Sequence, residues 1–145
     1  MLSRDIEKLL ADIRGNIWIA TRGGLSKYII SSGRFKNFVA TPGQSGLMID
    51  DLLDLCIEND NLWIATENGG LSQFDLRSET FTNYSYDKFD PYSIVNNSIW
   101  ALHTDKQNRV WVGSYAKGIC VYDRLDSKFQ ALRFADSVRF DQCLY

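Results

Sequence analysis

The sequence has few of the residues that usually mark catalytic, metal-binding or disulfide-rich proteins. Its 145 residues include one histidine, three cysteines and two prolines. Because no Cys/His/Asp cluster at metal-ligand spacing accompanies His103, we expect a core or channel-lining histidine, no metal and no cofactor. The odd number and the spacing of the cysteines fit neither a zinc site nor a disulfide scaffold. We expect all three to be buried small side chains: Cys56, Cys120 and Cys143.

Charge and hydrophobicity exclude further classes of protein. Sixteen basic and 18 acidic side chains give a net charge of −2 without a basic patch, so we expect no nucleic-acid partner. No apolar stretch approaches the roughly 18 residues that span a bilayer, so we expect no direct membrane contact in this segment. The start, Met1–Lys8, is too charged for a signal peptide. The 45% hydrophobic content is typical of a folded domain, and we predict a single one over residues 1–145.

The sequence does contain a threefold repeat. Each copy is a short apolar run with a tryptophan at its second apolar position, followed by a polar break, a glycine and a second run. The copies are Asn16–Leu25, Asn61–Leu71 and Arg109–Ile119. The tryptophans lie 45 and 48 residues apart, and a phenylalanine follows with spacings of 46 and 48. The repeated positions are Trp18, Trp63 and Trp111, Gly24, Gly70 and Gly118, and Phe35, Phe81 and Phe129. A fixed period of this size marks a repeat architecture.

The aligned unit predicts four short strands, here called A, B, C and D. The units cover residues 5–38, 51–84 and 98–134, and residues 138–145 resemble the A strand of a fourth unit. Strand B is apolar on both faces, because Ile17 and Ile19 point one way and Trp18 and Ala20 the other. A sheet that is apolar on both faces has to be covered on both, and stacked propeller blades do this. We predict an all-β, partial β-propeller of three antiparallel blades.

Two rival folds explain the pattern less well. A β-solenoid usually has shorter coils and no regular hairpins, and a sandwich does not account for a period that is held across three units. Three blades cannot close a ring, since known propellers have about four to eight. Because an open arc exposes apolar faces at both ends, we expect a homo-oligomer, namely a dimer of two open arcs.

The acids and glycines of the repeat are best interpreted as turn residues. Asp12, Glu58 and Asp105 precede the tryptophan strands, one per unit. Equivalent turns lie a blade apart, so capping of the turn is favoured over catalytic carboxylate pairs. The pairs Gly23–Gly24 and Gly69–Gly70 lie between strands and not before a helix, so a turn is favoured over a phosphate-binding loop.

Candidate ligand-binding residues lie where the B–C and D–A connections emerge on one face of the predicted arc. Charged, amide and aromatic side chains at such a mouth suit polar ligands or sugars, although solvated loops are the more common explanation of such residues. The candidates are Arg22, Glu67, Asn68, Tyr115 and Lys117 in the B–C turns, and Lys88, Asp90 and Tyr92 in the second linker. The sequence gives no catalytic residue and no metal ligand.

The repeat resembles the two-component regulator propeller repeat. The stretches that carry the resemblance are Asp12–Thr21 and Gly23–Leu25, with the second copy differing by a shortened turn. The third copy is looser, with Ser114 in place of threonine and Lys117–Gly118 in place of the two glycines. The resemblance implies the extracytoplasmic sensor region of a hybrid histidine kinase, of the type found in gut Bacteroidetes, at the periplasmic face of the inner membrane. Such sensors often respond to glycan breakdown products, so an oligosaccharide is the implied ligand.

Function therefore has three interpretations at this stage. The first is a non-catalytic sensor fragment, with kinase activity belonging to domains outside this chain. The second is a propeller scaffold for protein partners. The third is a propeller-class lyase or glycosidase, which needs converging acids or a metal site at the channel, and the sequence offers little material for either.

Overall fold

The structure, a computed structural model, describes residues 1–132. Over this range it consists of strands and turns, with three four-stranded antiparallel sheets. The first sheet contains β1 (Ile6–Ala11), β2 (Ile17–Thr21), β3 (Gly24–Ile29) and β4 (Arg34–Phe38). The second contains β5 (Leu52–Glu58), β6 (Asn61–Thr66), β7 (Leu71–Asp75) and β8 (Phe81–Tyr84). The third contains β9 (Ile99–Thr104), β10 (Val110–Ser114), β11 (Gly118–Asp123) and β12 (Lys128–Ala131).

The predicted fold class is confirmed, because each sheet has the order A-B-C-D of a propeller blade. We call the sheets blades 1, 2 and 3. The predicted strand at 138–145, the last two residues of the third predicted unit and Cys143 lie outside the described residues. In residues 1–132 we find no helix that is long and apolar enough to cross a membrane.

Successive blades pack face to face and form an open arc. The A strands β1, β5 and β9 lie next to one another, so they form the inner edge of the arc, while the D strands form its outer edge. We call the face that a blade turns to the preceding blade its front face, and the opposite face its back face. Two apolar cores lie between the blades, one at each interface. The prediction that neighbouring blades cover each other's apolar faces is confirmed at both.

Each core is built around a tryptophan of strand B. Trp18 on the back of blade 1 and Trp63 on the back of blade 2 are both fully buried. Trp18 contacts Phe74 of blade 2 with ring centroids 5.3 Å apart, and Trp63 contacts Tyr122 of blade 3 at 4.7 Å. Aromatic pairs at these distances add to the hydrophobic gain of burying the rings.

The polar break after strand B is held by one repeated hydrogen bond. In every blade the hydroxyl that ends strand B donates to the carbonyl oxygen of a following glycine at 2.8 Å: Thr21 to Gly24, Thr66 to Gly70 and Ser114 to Gly118. The bond needs only a hydroxyl, so the third copy keeps it with serine. This explains why the repeat requires threonine or serine at that position.

The turn acids of blades 1 and 3 also fix the tryptophans. The Asp12 carboxylate accepts hydrogen bonds from the backbone N–H groups of Arg14 and Asn16 at 2.9 and 3.0 Å, and from Trp18 Nε1 at 3.0 Å. Burial alone would raise the pKa of Asp12, but the hydrogen bonds from Trp18 and Asn16 outweigh it and lower that pKa.

Asp105 repeats this arrangement, accepting from Trp111 Nε1 at 2.8 Å and from the backbone N–H of Arg109 at 3.0 Å. These two bonds hold the pKa of Asp105 well below its usual range. The predicted turn-capping role is therefore confirmed for Asp12 and Asp105, and each acid also orients the indole of its blade.

Blade 2 departs from this arrangement because its turn is one residue shorter. Glu58 is buried and accepts from the side-chain amides of Asn59 at 2.7 Å and Asn61 at 3.2 Å. It also accepts from Arg124 of blade 3 at 3.1 Å. Within residues 1–132, the buried Trp63 Nε1 has no hydrogen-bond partner. With the shorter turn, the acid of blade 2 therefore bonds to blade 3 and not to the tryptophan of its own blade.

This difference predicts unequal costs for the same substitution. Trp18→Phe removes a hydrogen bond to a carboxylate, whereas Trp63→Phe removes an indole N–H that has no partner. Hydrogen bonds to charged groups contribute about 1.5–3 kcal/mol, so we expect Trp18→Phe to lower the free energy of unfolding by about 1–2 kcal/mol more than Trp63→Phe. Urea denaturation of the two variants measures this difference. Equal losses would show that the Asp12 bond contributes nothing net.

Burial at the ends of the arc differs from burial inside it. His103 is exposed on the back of blade 3, in the inner strand β9, so it is not a core histidine, and the channel-lining alternative stays a prediction. No described blade covers that face. The cysteine prediction is confirmed for Cys56 and Cys120, which are buried. Desolvation raises the pKa of both thiols to about 11, so neither is a reactive thiolate at neutral pH.

Candidate functional site

The end of the arc from which the B–C turns and the D–A connections emerge is here called the B–C face. The inner strands β5 and β9 begin at this face. Residues Arg22, Glu67 and Tyr115 occupy equivalent places on it, since each is the first residue after strand B of its blade. The three blades therefore carry three different side chains at the same position of the repeat.

Arg22 and Glu67 link neighbouring blades. The Arg22 guanidinium donates from Nε to Glu7 Oε1 and from Nη1 to Asp51 Oδ1, both at 2.9 Å. These two hydrogen bonds raise the pKa of Arg22. Glu67 Oε1 accepts from the Ser98 hydroxyl at 2.6 Å. Asp51 and Ser98 each precede the inner strand of the next blade, so both predicted ligand residues already have partners within the arc.

Tyr115 is different, because its partner lies in its own blade. The ring of Tyr115 stacks on that of Trp100, with centroids 4.9 Å apart and planes 30° apart. Trp100 is 54% exposed and Tyr115 is 56% exposed. We call these two rings the aromatic platform. Two large rings that stack in the open leave a wide apolar surface at the mouth of the arc.

Hydrogen bonds from neighbouring polar groups hold the aromatic platform in place. Trp100 Nε1 donates to the buried hydroxyl of Ser98 at 3.2 Å, and that hydroxyl donates to Glu67 of blade 2. The side-chain amide of Asn96 donates to the carbonyl oxygen of Tyr115 at 3.0 Å. The backbone N–H of Tyr115 donates to the carbonyl oxygen of Ser98, also at 3.0 Å. The platform is thus held at the Trp100 ring and at the Tyr115 backbone, and Ser98 ties it to the neighbouring blade.

A β-bulge places Trp100 where it is. In each blade, the pairing of strand A with strand B skips one residue near the start of strand A: Glu7, Leu53 and Trp100. A bulge inserts an unpaired residue and re-aims its side chain. Glu7 consequently meets Arg22 of its blade, and Trp100 meets Tyr115 of its blade.

Sequence reasoning missed Trp100 as a site residue and placed it within strand A. The available signal was that Trp100 is the one tryptophan of four outside the repeated position. The skipped pairing of a bulge has no clear sequence signature here, because the three bulged residues are an acid, an aliphatic and an aromatic.

The predicted linker residues lie elsewhere on the arc. The carbonyl oxygen of Tyr92 accepts from the backbone N–H of Phe129 in β12, at 2.9 Å. Lys128 Nζ lies 4.7 Å from the centroid of the Tyr92 ring. Asp90 and Tyr92 line a concavity of about 260 Å³ together with residues of the outer strands β8 and β12. This places them at the outer edge of the arc, whereas the aromatic platform belongs to the inner edge.

The remaining predicted residues make fewer contacts. Asn68 and Lys117 are exposed in the B–C turns, and Lys88 Nζ lies 4.8 Å from the centroid of the neighbouring Phe89 ring. The structure therefore does not bring the eight predicted residues into one site. In residues 1–132 no group of three or more His, Cys, Asp or Glu side chains is arranged to hold a metal ion.

Comparison with protein families identifies the repeat itself. Residues 93–116 match the family described as "Two component regulator propeller". The stretch at residues 93–116 is therefore similar to the repeat of that family. The matched stretch contains both rings of the aromatic platform, and it confirms the resemblance predicted from the sequence. No curated protein matches the chain at a significant level.

Solved structures with this fold include extracellular domains of proposed hybrid two component systems. The chain is similar to the extracellular domain of BT3049 from B. thetaiotaomicron, a proposed hybrid two component system, with a TM-score of 0.81 and 24% identity over 94% of this chain. That of BT4673 from the same organism, also a proposed hybrid two component system, gives 0.58 and 20% over 92%. PorZ, a surface component of the type-IX secretion system of Porphyromonas gingivalis, gives 0.62 and 18% over 88%. The chain spans about a fifth of each of these solved chains, covering 19%, 22% and 20% of them.

Proposed function

We propose that this chain forms part of the extracytoplasmic sensor propeller of a hybrid two-component system, and that it takes part in perceiving a ligand without catalysing a reaction. The two-component regulator propeller repeat and the shared fold of the sensor domains support the class. The same likeness supports a location at the periplasmic face of the inner membrane, with the kinase in another part of the protein.

The aromatic platform is the observation that carries the ligand proposal. A sugar ring presents one face of C–H groups, which stack on aromatic rings, and an edge of hydroxyls, which need hydrogen-bond partners. Trp100 and Tyr115 offer the stacking surface, and the carboxylate of Glu67 and the amide of Asn96 lie beside it. We therefore propose a glycan-derived ligand, seated on blade 3 at the inner edge of the B–C face.

Calorimetric titration with a panel of oligosaccharides tests this proposal. We expect Trp100→Ala and Tyr115→Ala each to weaken binding of a responding sugar roughly tenfold or more, because each substitution removes one of the two stacking rings. A loss of about 1.4 kcal/mol in binding free energy corresponds to a factor of ten in affinity. Tyr92→Ala is the matched control, since Tyr92 is 50% exposed but lies at the outer edge of the arc. Binding that is lost with Tyr92→Ala and kept with the two platform variants would move the site to the linker.

A protein partner is the second candidate, favoured by the faces of blades 1 and 3 that no other blade of residues 1–132 covers. PorZ shows that this fold also occurs in a component of a secretion system. A folded protein that binds no sugar of the panel would favour this candidate. No observation on residues 1–132 favours the enzyme candidate over these two, and no group of three or more His, Cys, Asp or Glu side chains in that range is arranged to hold a metal ion.

A further inference from the structure

A short chain of hydrogen bonds connects the aromatic platform with an acid of blade 2. Trp100 Nε1 donates to the Ser98 hydroxyl at 3.2 Å, and that hydroxyl donates to Glu67 Oε1 at 2.6 Å. The Glu67 carboxylate is therefore two hydrogen bonds away from the indole. It lies at the contact between blades 2 and 3, both of which belong to the described residues. The acid is thus placed to meet a ligand that stacks on the rings.

The Glu67 carboxylate has hydrogen-bonding capacity that the protein does not use. Within residues 1–132, the Ser98 hydroxyl is the one donor to this side chain. The side chain is partly exposed in the B–C turn of blade 2. An ionised carboxylate has about four acceptor positions and no donor. A ligand can therefore donate hydrogen bonds to Glu67 but cannot accept any from it.

Asn96, a second polar side chain beside the platform, is used by its own blade. Its oxygen accepts from the backbone N–H of Ser98 at 2.9 Å, and its amide donates to the carbonyl oxygen of Tyr115 at 3.0 Å. One amide hydrogen is left, since such an amide has two. The polar surroundings of the platform therefore offer mainly acceptors, and they include the negative charge of Glu67.

The B–C turns contain two cations, and in the described residues neither pairs with Glu67. Arg22 is bound to Glu7 and Asp51, both at 2.9 Å. Lys117 is exposed in the B–C turn of blade 3, where water surrounds its ammonium group. Charges on solvent-exposed side chains act on each other only weakly. The carboxylate of Glu67 therefore sets the charge next to the rings.

A blade packed against the back of blade 3 would leave the platform open. Glu7 and Arg22 of blade 1 occupy the positions of Trp100 and Tyr115. Both are exposed although blade 2 packs against blade 1. These positions at the mouth are thus accessible with a neighbouring blade in place, so a ligand can reach the platform within a longer array as well.

We propose that Glu67 selects the charge of the ligand, so that the platform takes neutral sugars and disfavours uronates and sulfated sugars. The proposal rests on the glycan ligand proposed above. A neutral sugar that stacks on the rings brings hydroxyls to the carboxylate, and hydrogen bonds to an ionised acceptor are stronger than neutral ones. A sugar carboxylate or sulfate at the same place brings a like charge and no donor, and like charges close together repel.

Calorimetric titration with matched trisaccharides tests the proposal on the 145-residue chain. Each neutral hexose trimer of the panel is compared with its own uronate, as galactotriose with trigalacturonate, and with the methyl ester of that uronate, which removes the charge. We expect a responding neutral trimer to bind at least roughly tenfold more tightly than its uronate, and the methyl ester to recover most of this difference. Salt should strengthen the weak binding of the uronate, because it screens the repulsion.

Glu67→Gln removes the charge and keeps an oxygen that can accept from Ser98. We expect the difference in affinity between the neutral trimer and its uronate to shrink to about threefold or less in this variant. Asp126→Asn removes the same charge in the exposed turn between β11 and β12, at the opposite end of the blade, and is expected to keep the full difference. A purely structural role of Glu67 would instead weaken the binding of both trimers equally.

The results separate the charge preference from the glycan ligand itself. A uronate that binds the wild-type chain as tightly as its neutral partner would overturn this proposal and leave the glycan ligand in place. Loss of that uronate binding with Lys117→Ala would then assign the charge preference to the lysine. An unchanged difference in Glu67→Gln would also overturn the proposal. If no sugar of the panel binds, the proposed glycan ligand fails, and this proposal fails with it.

Discussion

Replacing Trp63 by alanine is expected to lower the free energy of unfolding by about 3–5 kcal/mol, the usual cost of removing a large ring from a core. Trp63 is fully buried between blades 2 and 3 and contacts Tyr84, Tyr122 and Phe129. Small domains are stable by only about 5–15 kcal/mol, so the loss is a large part of the total. Urea denaturation followed by circular dichroism measures it.

Trp100→Ala is the matched control for this prediction. Its ring is 54% exposed and stacks only on Tyr115, so we expect a loss of about 1 kcal/mol or less. Similar losses for the two substitutions would mean that the blade interface does not hold the arc together. The control also shows whether Trp100→Ala is sound enough to use in the sugar titrations.

Gly70→Ala is expected to be nearly as damaging, at about 3–5 kcal/mol, for a backbone reason. Gly70 has φ of +79°, and a Cβ atom there would lie 2.2 Å from the carbonyl oxygen of Tyr84. That oxygen belongs to the outer strand β8, so relief requires the strand to move. The melting temperature and the urea midpoint should both fall.

Gly118→Ala separates the two parts of this cost. Gly118 has a similar φ of +83° in the equivalent turn of blade 3, but a Cβ atom there would meet nothing within 4 Å. We expect only the conformational part of the penalty, about 1–2 kcal/mol. If both variants lose the same amount, the close approach to β8 is not the cause.

The sequence predicted the strands well because each element is repeated. A tryptophan, a hydroxyl residue and a glycine recur at fixed offsets, and each has a local physical role that the structure shows. Strand B of blade 2, predicted from Trp63 and its neighbours, is β6 at Asn61–Thr66. Each copy alone would predict its strands only weakly, but the same pattern in three copies predicts them reliably.

The candidate site was harder to predict because it depends on departures from the repeat. Arg22 and Glu67 were expected to face a ligand, but whether a loop side chain meets solvent or the next blade depends on what precedes the next inner strand, here Asp51 and Ser98. The sequence places Tyr92 with Tyr115, because it does not show which part of the linker from β8 to β9 lies at the outer edge of the arc and which part lies at the inner edge. Such distances are properties of the assembled blades.

The skipped residue in each inner strand does not take part in the pairing of strands A and B, so its side chain can vary independently of that pairing. The paired residues on either side keep the ladder intact, so Glu7, Leu53 and Trp100 differ completely without altering it. One position per blade is thereby released from the repeat and presented at the mouth. A substitution at this one position in each blade therefore changes the side chains at the mouth, while the paired strands beneath it can stay as they are.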